Sequence, residues 1–353
     1  MTDNEELFDR SILRVNTAGI KPTITQKDVS FDDEPITVAD PFLVYQRGKF
    51  FIFYEVLGKK KKVIGVSSSS NGKDYEWLGV ALDESPSNIL LSFPYVFQYE
   101  NSWYMIPEQS EINTCRSLNY LYKTDNENFP FGWKREGVLF QFDKEDKITD
   151  KAIFRHNGMW YIFYGLGNSR RHKLCIAMFE NLKERKVRKH PFSPIIQTPA
   201  NNLYSKFIFY LNILAYKLEK IGFNVDNFRV LSKVFSKLVG FVTFYPCRPG
   251  GKIIKTFNGK IIVYLQNQGT KLNYWDIRKS YGRYISAMII DKLTPKEIAF
   301  QLNNSYVIAP TFKKGDWNAE KMHMVCPVNV NGEIFVAVDG YGENEWSIAV
   351  IKI

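Results

Sequence analysis

Cysteine is scarce in this chain. There are four in 353 residues, Cys115, Cys175, Cys247 and Cys326, and no two form a CxxC pair. Four thiols at these spacings do not make a disulfide framework, and they read as reduced core side chains of a cytoplasmic protein. Histidine is as rare, with four copies at no metal-ligand spacing, so neither a metal nor a cofactor is expected. No run of about 18 apolar residues exists, so no spanning helix is expected. Met1 to Arg10 is acidic and polar, unlike a signal peptide, and is expected to be a frayed arm. Acids are in deficit, 37 against 47 Lys and Arg, for a net charge of +10. Scattered lysines of this kind mostly serve solubility. Where they select partners, they select anionic ones such as an acidic or phosphorylated sugar or an anionic lipid. No nucleic-acid module is visible, and Gly250-Gly251 lacks the Gly-Lys-Ser/Thr of a phosphate loop, so no nucleic-acid partner is expected.

Aromatic residues, by contrast, make up 15% of the chain and recur in one pattern. Ala39 to Glu55 reads as two strands around an Arg47-Gly48 turn, opening on Asp40 and closing on Glu55. Four more copies begin at Phe93, Asp150, Gly251 and Met324. Gly48, Asn101, Gly158, Gly259 and Gly332 hold one turn position. A recurring unit of about 50 residues built of short strands is the mark of propeller blades. The expected architecture is therefore all-β, a five-bladed β-propeller forming a single domain over residues 1–353. Ser11 to Ile20 is expected as a strand beside Trp346 to Ile353, closing the ring.

Between blades three and four the pattern changes. Leu203, Phe207, Leu211, Leu214, Leu218 and Ile221 step by three and four, which predicts a helical insert over 201–244. Its basic residues Lys206, Lys217, Lys220, Arg229, Lys233 and Lys237 outnumber Glu219 and Asp226. Two readings stay open, a lid packed on the blades or a helix pair over 203–244 lying on an anionic membrane surface.

In a propeller the first strands line a central channel, so their opening residues converge on one funnel. Asp40, Phe93, Asp150, Gly251 and Met324 take those places, with Arg248 and His323 adjacent. The second strands end near the same face on Glu55, Glu108, Gly165, Gln266 and Asp339. Paired carboxylates with opposed acidities protonate a leaving oxygen and activate water in glycosidases. Asp40, Asp150, Glu108 and Glu55 are thus the catalytic candidates. Arg248, His323, Gln266, Asp339, Phe93 and Arg283 are the candidates for holding substrate. Asp40→Asn is expected to leave folding nearly intact, because an acid on a polar rim adds little to a core. Phe42, Tyr95, Trp103, Tyr104, Trp160 and Trp275 offer ring faces for sugar, although packing between blades is the commoner use.

The motifs Ala39-Asp40-Pro41-Phe42, Phe53-Tyr54-Glu55, Ser92-Phe93-Pro94, Tyr104 to Glu108, Asp150 and Arg248-Pro249-Gly250-Gly251 carry a resemblance. Over residues 31–345, apart from the insert, the chain resembles the N-terminal domain of plant glucosamine inositolphosphorylceramide transferase and its stand-alone bacterial relatives. That domain is similar to five-bladed arabinanase- and invertase-type glycoside hydrolases. The resemblance implies a general base at Asp40 and a substrate-orienting acid modulator at Asp150. It also implies a general-acid Glu opening blade four, where this sequence has Arg248-Pro249-Gly250-Gly251 instead. Glu108 or Glu55 would then supply the acid. The resemblance further places the plant protein's transferase chemistry in a separate C-terminal domain, without counterpart in these residues. The expected function is glycoside hydrolase-like, on a cell-surface polysaccharide or glycolipid intermediate. The alternatives are a glycosyltransferase acting on a sugar phosphate, or a non-catalytic glycan-binding module.

Overall fold

Alternating apolar and aromatic residues between tight turns build the blades, and a computed structural model of the chain shows their order. The structure describes residues 7–8, 14–112, 114, 117–142, 147–167, 173–197, 246–268, 283–303, 307–311, 315–343 and 345–353. Blade one is a four-stranded antiparallel meander of Thr37–Gln46, Lys49–Leu57, Lys62–Ser69 and Glu76–Leu82. Blade two opens with Ile89–Tyr99 and Ser102–Glu111, blade three with Ile148–His156 and Met159–Leu166. Blade four is built on Pro246–Pro249, Ile254–Thr256, Ile261–Gln268 and Arg283–Thr294, and blade five on Lys321–Val330, Glu333–Gly342 and Glu345–Lys352. The fold is an all-β five-bladed propeller. Among the described residues there is no α-helix, only two short 3-10 turns at Gln26–Asp28 and Ser85–Ser87. The helical insert expected over 201–244 lies outside the described residues, and so does the membrane contact expected of 203–244. No helix among the described residues is long and apolar enough to cross a membrane.

The core lies within and between the blades, and aromatic pairs join neighbours. Phe42 of blade one meets Tyr95 of blade two at 4.7 Å between ring centres, and Phe97 of blade two meets Trp160 of blade three at 5.5 Å. Phe50 of blade one meets Phe335 of blade five at 4.6 Å. Such pairs add about 0.5–1.5 kcal/mol each beyond burial. Phe42, Phe93, Tyr95, Trp103, Tyr104 and Trp160 are all buried, so most of their ring surface goes to packing.

Ring closure differs from the expectation. Residues 14–20 form no strand. Instead Ile24 bridges Ile348, exchanging backbone hydrogen bonds of 3.0 and 2.9 Å. Leu7–Phe8, expected as frayed, pairs in parallel with the innermost strand of blade four, Leu7 opposite Lys255 and Phe8 opposite Thr256. Phe8 is buried there, so an apolar anchor holds what polar flanking residues suggested would be loose.

The first strands of four blades carry an irregularity at one level. The ladder shifts between Ala39 and Phe42, Ser92 and Tyr95, Thr149 and Ala152, and Met322 and Val325. Asp40, Phe93 and Asp150 take positive φ values of 53°, 46° and 41° at these bulges. A bulge re-aims a side chain that plain alternation would send to the other face. It places three of the five opening residues in a sparsely populated conformation, which surrounding structure must hold.

Candidate functional site

Directly above the bulges the first two strands pair Ala39 with Glu55, Ser92 with Glu108, Thr149 with Gly165 and Arg248 with Gln266. The hairpin register therefore carries Glu55, Glu108, Gly165 and Gln266 to one level, beside the bulge acids. Hydrogen bonds then run across the channel from blade to blade. Asp40 Oδ1 lies 2.7 Å from His323 Nδ1, and His323 Nε2 lies 3.0 Å from Arg248 Nη2. Arg248 Nε donates to Gln266 Oε1 at 2.9 Å and lies at ion-pair distance, 2.7 Å, from Asp150 Oδ2. The Asp150 amide donates to Glu108 Oε2 at 3.2 Å. An arginine only donates, so His323 Nε2 accepts and the hydrogen on Nδ1 goes to Asp40.

Asp339 sits beneath this chain. It accepts from the Asp40 amide at 2.9 Å, the His323 amide at 3.2 Å and the Met324 amide at 2.7 Å. It thereby ties blade one to blade five under the site. Asp40, His323 and Asp339 have ligand atoms within 4.8 Å of one another, the spacing a cation needs. Their atoms are already engaged with each other and with the backbone, so the group reads as a hydrogen-bonded support.

The acids differ in proton affinity. Burial alone would raise Asp40, but His323, Lys62 and Arg248 more than offset it and bring it down to about 2. Burial raises Glu55 to about 7, aided by the Asp40 and Glu108 charges and opposed by Lys62, whose Nζ lies 2.9 Å from Glu55 Oε2. Burial pushes Asp150 well up and Glu108 adds to this, against the pull of Arg248. Glu108 moves down despite burial, through Asp150, Arg248, Lys151 and Lys62. Two acids this close share one proton, held on Asp150 while Glu108 is ionised. Burial and the Asp40 charge also raise Asp339, against its three amide donors.

The structure thus brings together Asp40, Asp150, Glu108, Glu55, Arg248, His323, Gln266 and Asp339. Phe93 shares the bulge position, but its ring is completely buried in the core and leaves no face for a sugar. Arg283 opens a blade-four strand opposite Lys321. Trp275 lies outside the described residues.

Glycines explain the blade-four departure. A Cβ on Gly251 would lie 1.8 Å from the Val325 carbonyl oxygen, and its φ is +153°. Blades four and five touch backbone to backbone there, the Val325 amide donating to the Gly250 carbonyl at 2.9 Å. No side chain fits at that bulge. A Cβ on Gly165 would lie 2.8 Å from Arg248 Cβ, so the glycine in blade three makes room for the arginine from blade four.

Sequence reasoning missed two lysines. Lys62 ends a run of four lysines that reads as solvated surface, yet it reaches Glu55. Lys151 follows Asp150 at the position Pro41 and Pro94 hold in blades one and two, and that aligned departure was the available signal. It is fully buried with no hydrogen-bond acceptor on Nζ, and burial lowers it to about 8 against the pull of Glu108 and Asp150. This has a stability consequence. Unfolded lysine binds its proton up to about pH 10.4. Between about pH 8 and that value the unfolded chain binds more protons than the folded one, so folding gains stability as pH rises. Lys151→Met should therefore exceed the wild type in stability by about 1–3 kcal/mol at neutral pH, with the gap closing from pH 8 upward. Urea unfolding at pH 7 and pH 10 measures the gap, and a constant difference would contradict this assignment.

Comparison with known proteins gives a consistent picture. The family model for glucosamine inositolphosphorylceramide transferase 1, N-terminal, matches residues 17–205. Glucosamine inositolphosphorylceramide transferase 1 of Oryza sativa subsp. japonica is 36% identical over 129 residues, which is 36% of this chain and 16% of the plant protein. The Arabidopsis thaliana protein is 35% identical over 128 residues, 35% of this chain and 15% of its own. The match spans only that small share of the plant proteins' length. Among solved structures, a glycoside hydrolase superposes with a TM-score of 0.61 at 10% identity, covering 94% of this chain and 90% of its own. A thermostable family-43 glycoside hydrolase gives 0.57 at 14% identity, with 89% of each chain covered. The GH32 β-fructofuranosidase of Bombyx mori gives 0.57 at 13%, covering 97% of this chain and 63% of its own. At these identities the likeness is one of fold.

Proposed function

Because the chain belongs to the family of the N-terminal domain of glucosamine inositolphosphorylceramide transferase 1, we propose that it acts on a glycosidic bond at the bulge end of its channel. Its relatives and its fold support a carbohydrate-related role. The finer reading is glycoside hydrolase-like chemistry on a polysaccharide or glycolipid sugar. The observation that carries it is the opposed acidity of two neighbouring carboxyls, Asp40 at about 2 and Glu55 at about 7. An acid and a base with separated pKa values are the pair that glycosidic cleavage requires. Asp40 is ionised at neutral pH and serves as general base for water. Glu55 retains a proton near neutrality and gives it to the leaving oxygen, replacing the acid that blade four lacks. The Asp150–Glu108 pair and Gln266 orient sugar hydroxyls.

The test is hydrolysis of oligosaccharides and of glycolipid sugars by the wild type and by Glu55→Gln. A general acid must be protonated, so the rate should fall as pH rises through about 7. Glu55→Gln should remove that limb and lower kcat by about 10²–10⁴-fold. An unchanged limb in the variant would exclude Glu55 as the acid.

One observation favours a second reading. Arg248 stands where the resemblance calls for a carboxylate, with its Nε 2.7 Å from Asp150 Oδ2. In a glycan-binding module serving a transferase, the same arginine would hold a negatively charged sugar without cleaving it. Ligand binding without product from any substrate would select this reading over the first.

A further inference from the structure

A cavity of about 510 Å³ lies at the other end of the channel. Blade one's first strand runs from Asp40 to the Arg47-Gly48 turn, and the cavity meets it at Val44, Tyr45 and Gln46. At about 3.3 Å per residue, those residues stand about 13–20 Å from Asp40 along the strand. The inner strands of all five blades contribute to the wall, and the buried ring of Phe8 from the N-terminal strand completes it. The proposed function uses none of this.

The lining has a defined chemistry. Its charged side chains are Arg155, Lys252 and Lys255, and no described lining residue is an acid. The bulge end, by contrast, gathers five carboxylates together with Arg248, Lys62 and His323. Gln46 and Gln98 supply amides from blades one and two, while Asn329 of blade five is held by the Leu7 carbonyl and the Gly332 amide. Tyr99 and Trp160 form an aromatic corner, their rings edge to face at 5.1 Å. The Arg155 guanidinium lies 5.4 Å from the Tyr99 ring centre, which fixes a cation beside that corner. Trp103 lines the same cavity, is nine-tenths buried, and its indole N–H has no hydrogen-bond acceptor among the described residues. A buried donor without a partner is costly, and a ligand oxygen would satisfy it.

We propose that this cavity is a second binding site, for a phosphorylated sugar. The volume falls in the range of small-molecule sites and exceeds what one monosaccharide phosphate needs. The aromatic corner suits the apolar face of a sugar ring, and the amides suit its hydroxyls. The cations suit a phosphate, for which charge-assisted hydrogen bonds are strong. The described lining holds three cations and no acid, which disfavours a cationic ligand. The same chemistry can arrive as a free sugar phosphate or as a phosphorylated sugar on a lipid.

Titration of the full chain with glucose 1-phosphate, glucose 6-phosphate and mannose 6-phosphate, followed by tryptophan fluorescence and calorimetry, tests this. Glucose and inorganic phosphate serve as the two half-ligands. Vesicles carrying phosphatidylinositol 4-phosphate, against plain phosphatidylcholine vesicles, form the lipid arm. At least one sugar phosphate, free or lipid-borne, should bind about tenfold or more tightly than glucose or phosphate alone. Arg155→Gln and Lys255→Gln should each weaken it by about tenfold, while Glu55→Gln at the opposite end should leave it unchanged. Which arm binds identifies the source. The proposal is overturned if no probe binds or if phosphate alone binds as tightly as the best sugar phosphate. Binding lost in Glu55→Gln but kept in Arg155→Gln also overturns it, by placing the ligand among the carboxylates. Failure of the hydrolysis tests above leaves this site unaffected.

Discussion

Asp40→Asn is expected to lower turnover on any substrate the wild type cleaves by about 10³-fold or more. A general base contributes about 10²–10⁴-fold, and the amide neither accepts the proton nor keeps the His323 ring poised. Asparagine has nearly the same shape and tolerates the positive φ of 53° at this bulge, so the backbone should hold. Stability should nonetheless fall by about 1–3 kcal/mol at pH 7, because the carboxylate is buried and its pKa lies below the ordinary value. This corrects the expectation of an almost neutral change, which assumed an exposed rim. The sign follows from the depressed pKa. The carboxylate's contribution is fully present above about pH 4, and it disappears as pH falls through about 2. Denaturation of both proteins at pH 7 and pH 3, alongside kcat, measures the two effects. Full turnover in the variant would exclude Asp40 as the base.

Gly251→Ala should destabilise the chain more than any single change at an acid. The added methyl would sit 1.8 Å from the Val325 carbonyl oxygen, where a backbone atom, not a flexible side-chain end, must move. Overpacking of this kind costs about 1–3 kcal/mol or more, and a side chain at φ +153° adds about 1–3 kcal/mol. The expected loss is therefore about 3–5 kcal/mol, seen as a lower urea midpoint at unchanged slope. The strain falls between Gly250 and Val325, beside Arg248 and His323, so it should also disturb the Arg248–His323 contact. Gly259→Ala is the control, because nothing lies within 4 Å of its would-be Cβ, although it shares a positive φ of 79°. Equal losses in the two variants would mean that backbone conformation alone, not the contact with Val325, makes glycine necessary at 251.

Much of the architecture is legible in the sequence because a propeller repeats its register. The five hairpin turns, the aromatic strands and the openings at Asp40, Phe93 and Asp150 lie on one frame, because strand pairing carries residues with equal offsets to equal levels; in blade five the bulge comes one residue further from the turn, so His323, not Met324, takes the level of Asp40. Ring closure was harder to read. Ile24, not residues 14–20 of the expected strand, meets Ile348, because a single bridge needs only one residue and leaves no periodic pattern. The Leu7–Phe8 anchor is too short to signal itself among polar neighbours.

By itself the sequence determined the blade count, the hairpin register and the set of acids offered to one end of the channel, all of which follow from a period of two along strands and a repeat along the chain. Tertiary structure decided how those groups use one another. His323 lies 283 residues from Asp40 in sequence but bonds to it directly, and Arg248 reaches Asp150 through the space that Gly165 leaves. It also decided that Phe93 is core, that Lys151 is buried and that Glu55 holds its proton near neutrality. Burial and Coulomb forces depend on distance in space, and ring closure brings together residues that no local pattern relates.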